Sequence, residues 1–256
     1  MVSGLGTTPL ILLRALVAVL AAVAGGVAAA YLGRISHRVL CGMISFAAGA
    51  LLAVSLLSIL PESLHLGGGL PALLAAAAGF GLFYSVGRWL YVICPACNAT
   101  ALDGERGYLR LGVLLLISIS LHAFMDGLAL AAGHEARPAL GAVILLAVTY
   151  HKVPEGLSLA SLALAAGARP ALAVAITAAV ELITGAGAAV GLLLHGVPAR
   201  ALGVVLGAVA GSFLYVVVFA LLKEMWEHER RTIVLDAGLG FASIVLVGWL
   251  VGGVLG

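Results

Sequence analysis

The chain has 256 residues, 63% of them hydrophobic and 9% charged, with a mean hydropathy of +1.22. A soluble domain carries about 25% charged residues, so a water-facing surface is excluded and most of the exterior must face lipid. The net charge of +2 gives no basis for nucleic acid or an acidic partner, and three cysteines, Cys41, Cys94 and Cys97, are too few for a disulfide framework.

An apolar stretch of about 20 residues crosses a hydrocarbon core of about 30 Å as a helix. In chain order eight are expected, at roughly 8–33, 38–65, 70–93, 108–133, 138–166, 170–195, 199–225 and 232–255. The first begins near Thr8 with no basic residue before it and is too long for a cleaved signal segment, so it reads as a retained helix. Turn or charge signals break the series at Gly33-Arg34, Gly67-Gly68-Gly69, Cys94 through Gly107, His134 to Pro138, Arg169-Pro170, Gly196 to Pro198 and Glu227 to Arg231. The helices use nearly the whole chain, so a single transmembrane domain over 1–256 is expected.

Lys and Arg bias sets orientation. One side of the series holds Arg34, Arg38, Arg88, Arg106, Arg110, Arg169, Lys223, Arg230 and Arg231; the other holds Arg14, Arg137 and Arg200. That imbalance places both termini outside the cytoplasm. A weak internal repeat adds to the pattern. Ala48-Gly49-Ala50-Leu51-Leu52 through Leu60-Pro61-Glu62 parallels Ala210-Gly211-Ser212-Phe213-Leu214 through Leu222-Lys223-Glu224. The copies lie five helices apart, so they cross in opposite directions, as in the inverted repeats of secondary transporters. The fold class expected is all-α, with helices 1–3 and 6–8 repeating around helices 4 and 5.

Ionisable residues deep in membrane helices are costly and usually functional. Helix 4 carries His122 and Asp126; helix 5 carries His151, Lys152 and Glu155; helix 6 carries Glu181 between Thr177 and Thr184. The first two segments share one pattern, His-x-x-x-Asp/Glu-Gly-Leu. Four-residue spacing stacks imidazole and carboxylate on one helix face, and the glycine lets a neighbouring helix approach. Pro154 leaves the Tyr150 carbonyl without its helical donor, a distortion tolerated where it is packed in protein or lines a polar cavity. Two imidazoles with carboxylates form an N/O site suited to Zn²⁺, and to Fe²⁺, Mn²⁺ or Cd²⁺. A single His-x-x-x-Asp reads as a structural pair; two copies and an aligned Glu181 read as a cation site.

At these residues the sequence resembles the ZIP (Zrt-, Irt-like protein) metal transporters. Carrying the resemblance are the His122 and His151 motifs, the small-residue stretch Thr177 to Gly187 around Glu181, and Phe46-Ala47-Ala48-Gly49 followed by Leu60-Pro61-Glu62. It implies eight helices with both termini outside, and a two-metal centre onto which His122, His151 and Glu155 fall as first-metal ligands. Asp126, Glu155 and Glu181 fall on the second position. Ala123 stands where an Asn ligand is common, and Lys152 where a bridging carboxylate or amide would sit. A charged ammonium cannot ligate a metal, so one reading has Lys152 replacing the second cation in a mononuclear site. In the other, it lies one face away and reaches towards water. The family often draws an extra ligand from helix 2, where this chain offers Leu51, Ser55 and Ser58; Ser55 is the candidate for lining the path, against an ordinary packing role.

The implied activity is alternating-access transport of a divalent metal into the cytosol of a cell with this protein in its cytoplasmic membrane. No resident cofactor is expected, and a homodimer is implied by the family alone. Cys94 and Cys97 read either as a receiver or sensor of exiting metal or as ordinary loop residues, the latter favoured because two thiolates do not close a tetrahedral site. Glu224, Glu227, His228 and Glu229 at one mouth, and Glu62, His65, His134 and Glu135 at the other, are either cation-attracting or merely solvated. The rival class is a metal-dependent intramembrane hydrolase using His122, His151, Glu155 and Asp126. Against it, there is no H-E-x-x-H and no third core histidine.

Overall fold

A computed structural model describes residues 6–32, 36–90, 105–221 and 230–251. Among these residues every element is a helix and none is a strand. Helix α1 is Thr7–Tyr31, α3 is Gly69–Leu90, α4 is Glu105–Ala136, α5 is Pro138–Ala165 and α8 is Arg230–Leu250. Helix α2 opens as His37–Val54, passes through a π-helical turn at Ser55–Ile59 and continues as Leu60–Gly67. Helix α6 is Pro170–Gly191 followed by a 3-10 turn at Leu192–Leu194, and α7 is Ala199–Tyr215 running into a second π-helical turn at Val216–Leu221. The eight expected helices are present. Their ends shift by a few residues: α4 continues to Ala136, which leaves Arg137 alone as the joint to α5.

Local chemistry accounts for the stops and starts. The Ser36 hydroxyl accepts from the amide of Val39 at the start of α2. Prolines open α5 and α6, where a missing amide hydrogen costs nothing. Gly68, at φ +80°, makes the left-handed turn between α2 and α3 that a side chain would strain. Among the described residues, seven helices are long and apolar enough to cross a membrane. The exception, α5, is long enough but carries His151, Lys152 and Glu155 at its middle. Side chains such as Leu20, Leu74, Leu182 and Trp249 are exposed on the outside of the bundle, as a lipid-facing surface requires.

Two groups of four helices result. Helices α1, α4, α5 and α6 pack closely together, as do α2, α3, α7 and α8, and the groups meet mainly through α2 with α5 and α4 with α7. Among the described residues most of these contacts, though not that of α2 with α3, pair off under the exchange of α1 with α6, α2 with α7, α3 with α8 and α4 with α5. The close approaches repeat likewise. Gly25 of α1 lies on the Val153 carbonyl of α5, and Gly187 of α6 lies on the Phe124 carbonyl of α4. Gly49 of α2 lies on the Ala237 carbonyl of α8, and Gly211 of α7 on the Ala76 carbonyl of α3. A Cβ at any of these four would overlap the opposing oxygen. The small-residue stripes of the sequence are therefore the seams along which membrane helices meet, and the two π-helical turns fall at corresponding places in α2 and α7.

Candidate metal centre

The polar side chains converge inside the α1/α4/α5/α6 group. Helix α4 presents His122 and Asp126 one turn apart, α5 presents His151, Lys152 and Glu155, and Gly127 and Gly156 follow the two carboxylates. Gly127 rests on the Thr184 carbonyl of α6 and Gly156 on the Ala22 carbonyl of α1, so the glycine of the shared motif lets a neighbouring backbone approach α4 and α5 closely. His122, Asp126, His151 and Glu155 each offer a ligand atom, and these atoms all lie within 4.8 Å of one another.

The individual contacts define the site. His151 Nε2 is 3.2 Å from Asp126 Oδ2 and 3.8 Å from Glu155 Oε2. His122 Nε2 is 3.7 Å from Asp126 Oδ1. His151 Nδ1 lies 3.1 Å from the Ala147 carbonyl oxygen. A carbonyl can only accept, so Nδ1 carries hydrogen, which leaves Nε2 as the nitrogen whose lone pair a metal could take. The imidazole centroids are 5.1 Å apart. Asp126 Oδ1 and Glu155 Oε1 are buried with no hydrogen-bond partner. Buried acceptors in such a cluster are what a cation satisfies.

Lys152 is fully buried, and its ammonium lies 2.9 Å from Asp126 Oδ2, 3.0 Å from Glu155 Oε2 and 2.8 Å from Glu181 Oε2. Glu181 therefore joins the cluster through Lys152, outside the set of four close ligand atoms. Asp126, Lys152 and Glu181 are inaccessible, whereas the side chains of His122 and Glu155 each keep 11% exposure. On α6, the Thr177 hydroxyl donates to the Ala173 carbonyl. The Ser55 hydroxyl donates to the Leu51 carbonyl within α2.

Residues expected at one mouth are held in pairs. Glu62 of α2 is bridged to Arg137 at the α4–α5 joint. The guanidinium of Arg14 donates to His134 Nδ1, 3.0 Å away, and to the Pro138 carbonyl, and His195 lies 3.2 Å from Glu135. His65 is exposed. Cys94, Cys97, Glu224, Glu227, His228 and Glu229 lie outside the described residues. Sequence reasoning passed over Phe213 of α7, whose ring stands edge-on to both imidazoles at centroid distances of 5.9 Å from His122 and 6.5 Å from His151. Its one signal was membership of the repeated stretch in α7.

The model of the ZIP zinc transporter family matches residues 97–254, more than half of the chain and all of the cluster. No curated protein matches. Members of this family are transporters and not enzymes, so the hydrolase reading falls away. The chain belongs to the ZIP zinc transporter family, as a multi-pass, all-α membrane protein that transports divalent metal ions.

Proposed function

We propose that the protein carries Zn²⁺ into the cytosol by alternating access, one ion at a time, through a site made of His122, Asp126, His151 and Glu155. The observation that carries this reading is the convergence of the four ligand atoms beside a lysine already held by three carboxylates. Two imidazole nitrogens and two carboxylates are a natural four-coordinate set for Zn²⁺, with Fe²⁺, Mn²⁺ and Cd²⁺ as further candidates. Lys152 takes the place of a second cation. Three carboxylates, one ammonium and one divalent ion sum to neutrality, the cheapest arrangement in a low dielectric. Ser55 lines the path from α2, and Glu181 serves the site by fixing Lys152.

Transport is ligand exchange. The ion trades water for the imidazoles and carboxylates, crosses as the two helix groups shift against each other, and is released on the far side. The excess of Lys and Arg on one side supports a location with both termini extracytoplasmic in the cell membrane. The whole chain acts as one transport domain, paired as a homodimer. Zn²⁺ flux into proteoliposomes tests the reading. Wild type shows saturable uptake, and His122→Ala, His151→Ala and Glu155→Ala each abolish it. Uptake unchanged in the three variants, or two tightly bound ions per chain, would overturn the site.

A further inference from the structure

The two candidate histidines are held in different ways. His151 is oriented by a hydrogen bond, its Nδ1 donating to the Ala147 carbonyl one turn back at 3.1 Å. His122 has no such brace: its Nδ1 is buried without a hydrogen-bond partner. What fixes the His122 ring is packing. On one side it meets His151 at a tilt of 41°, and on another it meets Phe213 edge-on at 68°. Phe213 is fully buried and belongs to the apolar core, so its own ring has little room to turn. Edge-to-face aromatic contacts have a preferred geometry as well as an attractive energy.

We infer that Phe213 is the positioning residue for His122, doing by aromatic packing what the Ala147 carbonyl does for His151 by hydrogen bonding. The inference rests on His122 being a metal ligand. A ligating imidazole ordinarily donates its second nitrogen to an outer partner, and losing that partner lowers metal affinity by about 10- to 100-fold. Phe213 supplies the orientation without the donor. It also comes from α7, in the other helix group, so the wall behind His122 stands only while the groups are docked as they are here. When they slide apart, His122 becomes free to turn and the site loosens.

The test is a set of Zn²⁺ titrations on the purified full-length protein in detergent. Phe213→Leu keeps apolar bulk but removes the ring edge, and Phe213→Ala removes both. Thermal melting and size-exclusion elution report whether each remains folded. Phe213→Leu is expected to weaken Zn²⁺ by about tenfold. In a His122→Ala background the same change should have no further effect, while in a His151→Ala background the tenfold loss should persist. Equal losses in both backgrounds, or full affinity in a folded Phe213→Leu protein, would overturn the positioning role. If His122→Ala itself leaves Zn²⁺ affinity unchanged, the ligand assignment fails and the positioning role with it.

Discussion

Helices α4 and α5 carry one device on equivalent backbones, yet its chemistry differs between them. Each places an imidazole and a carboxylate one turn apart and follows them with a glycine against a neighbouring carbonyl. In α4, the residue after the histidine is Ala123, fully buried and without a polar atom; in α5 it is Lys152, equally buried and bound to three carboxylates. In α4 the histidine is braced by a ring, and in α5 by a carbonyl. The repeat therefore supplies matching imidazoles and carboxylates on both helices, and the departures from it set the charge beside them, on which the proposed one-ion site depends.

Removing Lys152 should break this comparison most severely. Lys152→Ala strands Asp126, Glu155 and Glu181 without their cation, and uncompensated buried charge costs about 3–5 kcal/mol. A large drop in melting temperature is expected in metal-free buffer. Added Zn²⁺ should restore much of it, with titration stoichiometry rising from one ion per chain towards two. A stoichiometry that stays at one would count against Lys152 as a stand-in cation.

Carboxylate length sharpens the comparison at a smaller scale. Asp126 is fully buried and touches both histidines and Lys152, whereas Glu155 retains partial exposure. Asp126→Glu must fit a methylene into a closed site, at about 1–3 kcal/mol, and should weaken Zn²⁺ by about tenfold. Glu155→Asp has room to adjust and should cost less. Reversal of that order in isothermal titration would mean that Glu155 is the more constrained ligand. The smallest effect is expected from Ala123→Asn, which restores an amide where the family often has one. With Lys152 in place, initial uptake rates should stay within about fivefold, the equivalent of one hydrogen bond at about 1 kcal/mol, since the Lys152 ammonium already occupies the carboxylates.

Much of this was legible in the sequence. The four clustered residues His122, Asp126, His151 and Glu155 follow from four-residue spacing repeated in consecutive apolar spans, because helix geometry stacks such pairs whatever the surroundings. The helices themselves follow from hydropathy, since lipid makes apolar length nearly decisive. Lys152 was harder: it lies one step from His151 but three from Glu155, so spacing alone left open whether its ammonium meets the carboxylates or water. Phe213 gave no polar signal at all, because an aromatic ring in an apolar helix looks like any other packing residue. The bridge between Glu62 and Arg137 joins distant parts of the chain, and composition carries no trace of which charges will meet. The π-helical turns were invisible because an extra residue in an apolar run leaves its hydropathy unchanged.

Those turns have a consequence of their own. A π-helical turn accommodates one residue more than the α-helix around it, and one residue corresponds to about 100° of rotation. In α2, the stretch His37–Val54 lies against α8, whereas Leu60–Gly67 lies against α7, where the Ser63 hydroxyl donates to the Gly203 carbonyl at 2.7 Å. The inserted residue at Ser55–Ile59 resets the bearing of the rod between those two neighbours without interrupting it. One helix thus serves as two differently facing struts, and the register of α2 across the bundle is a matter of counting residues as much as of their chemistry.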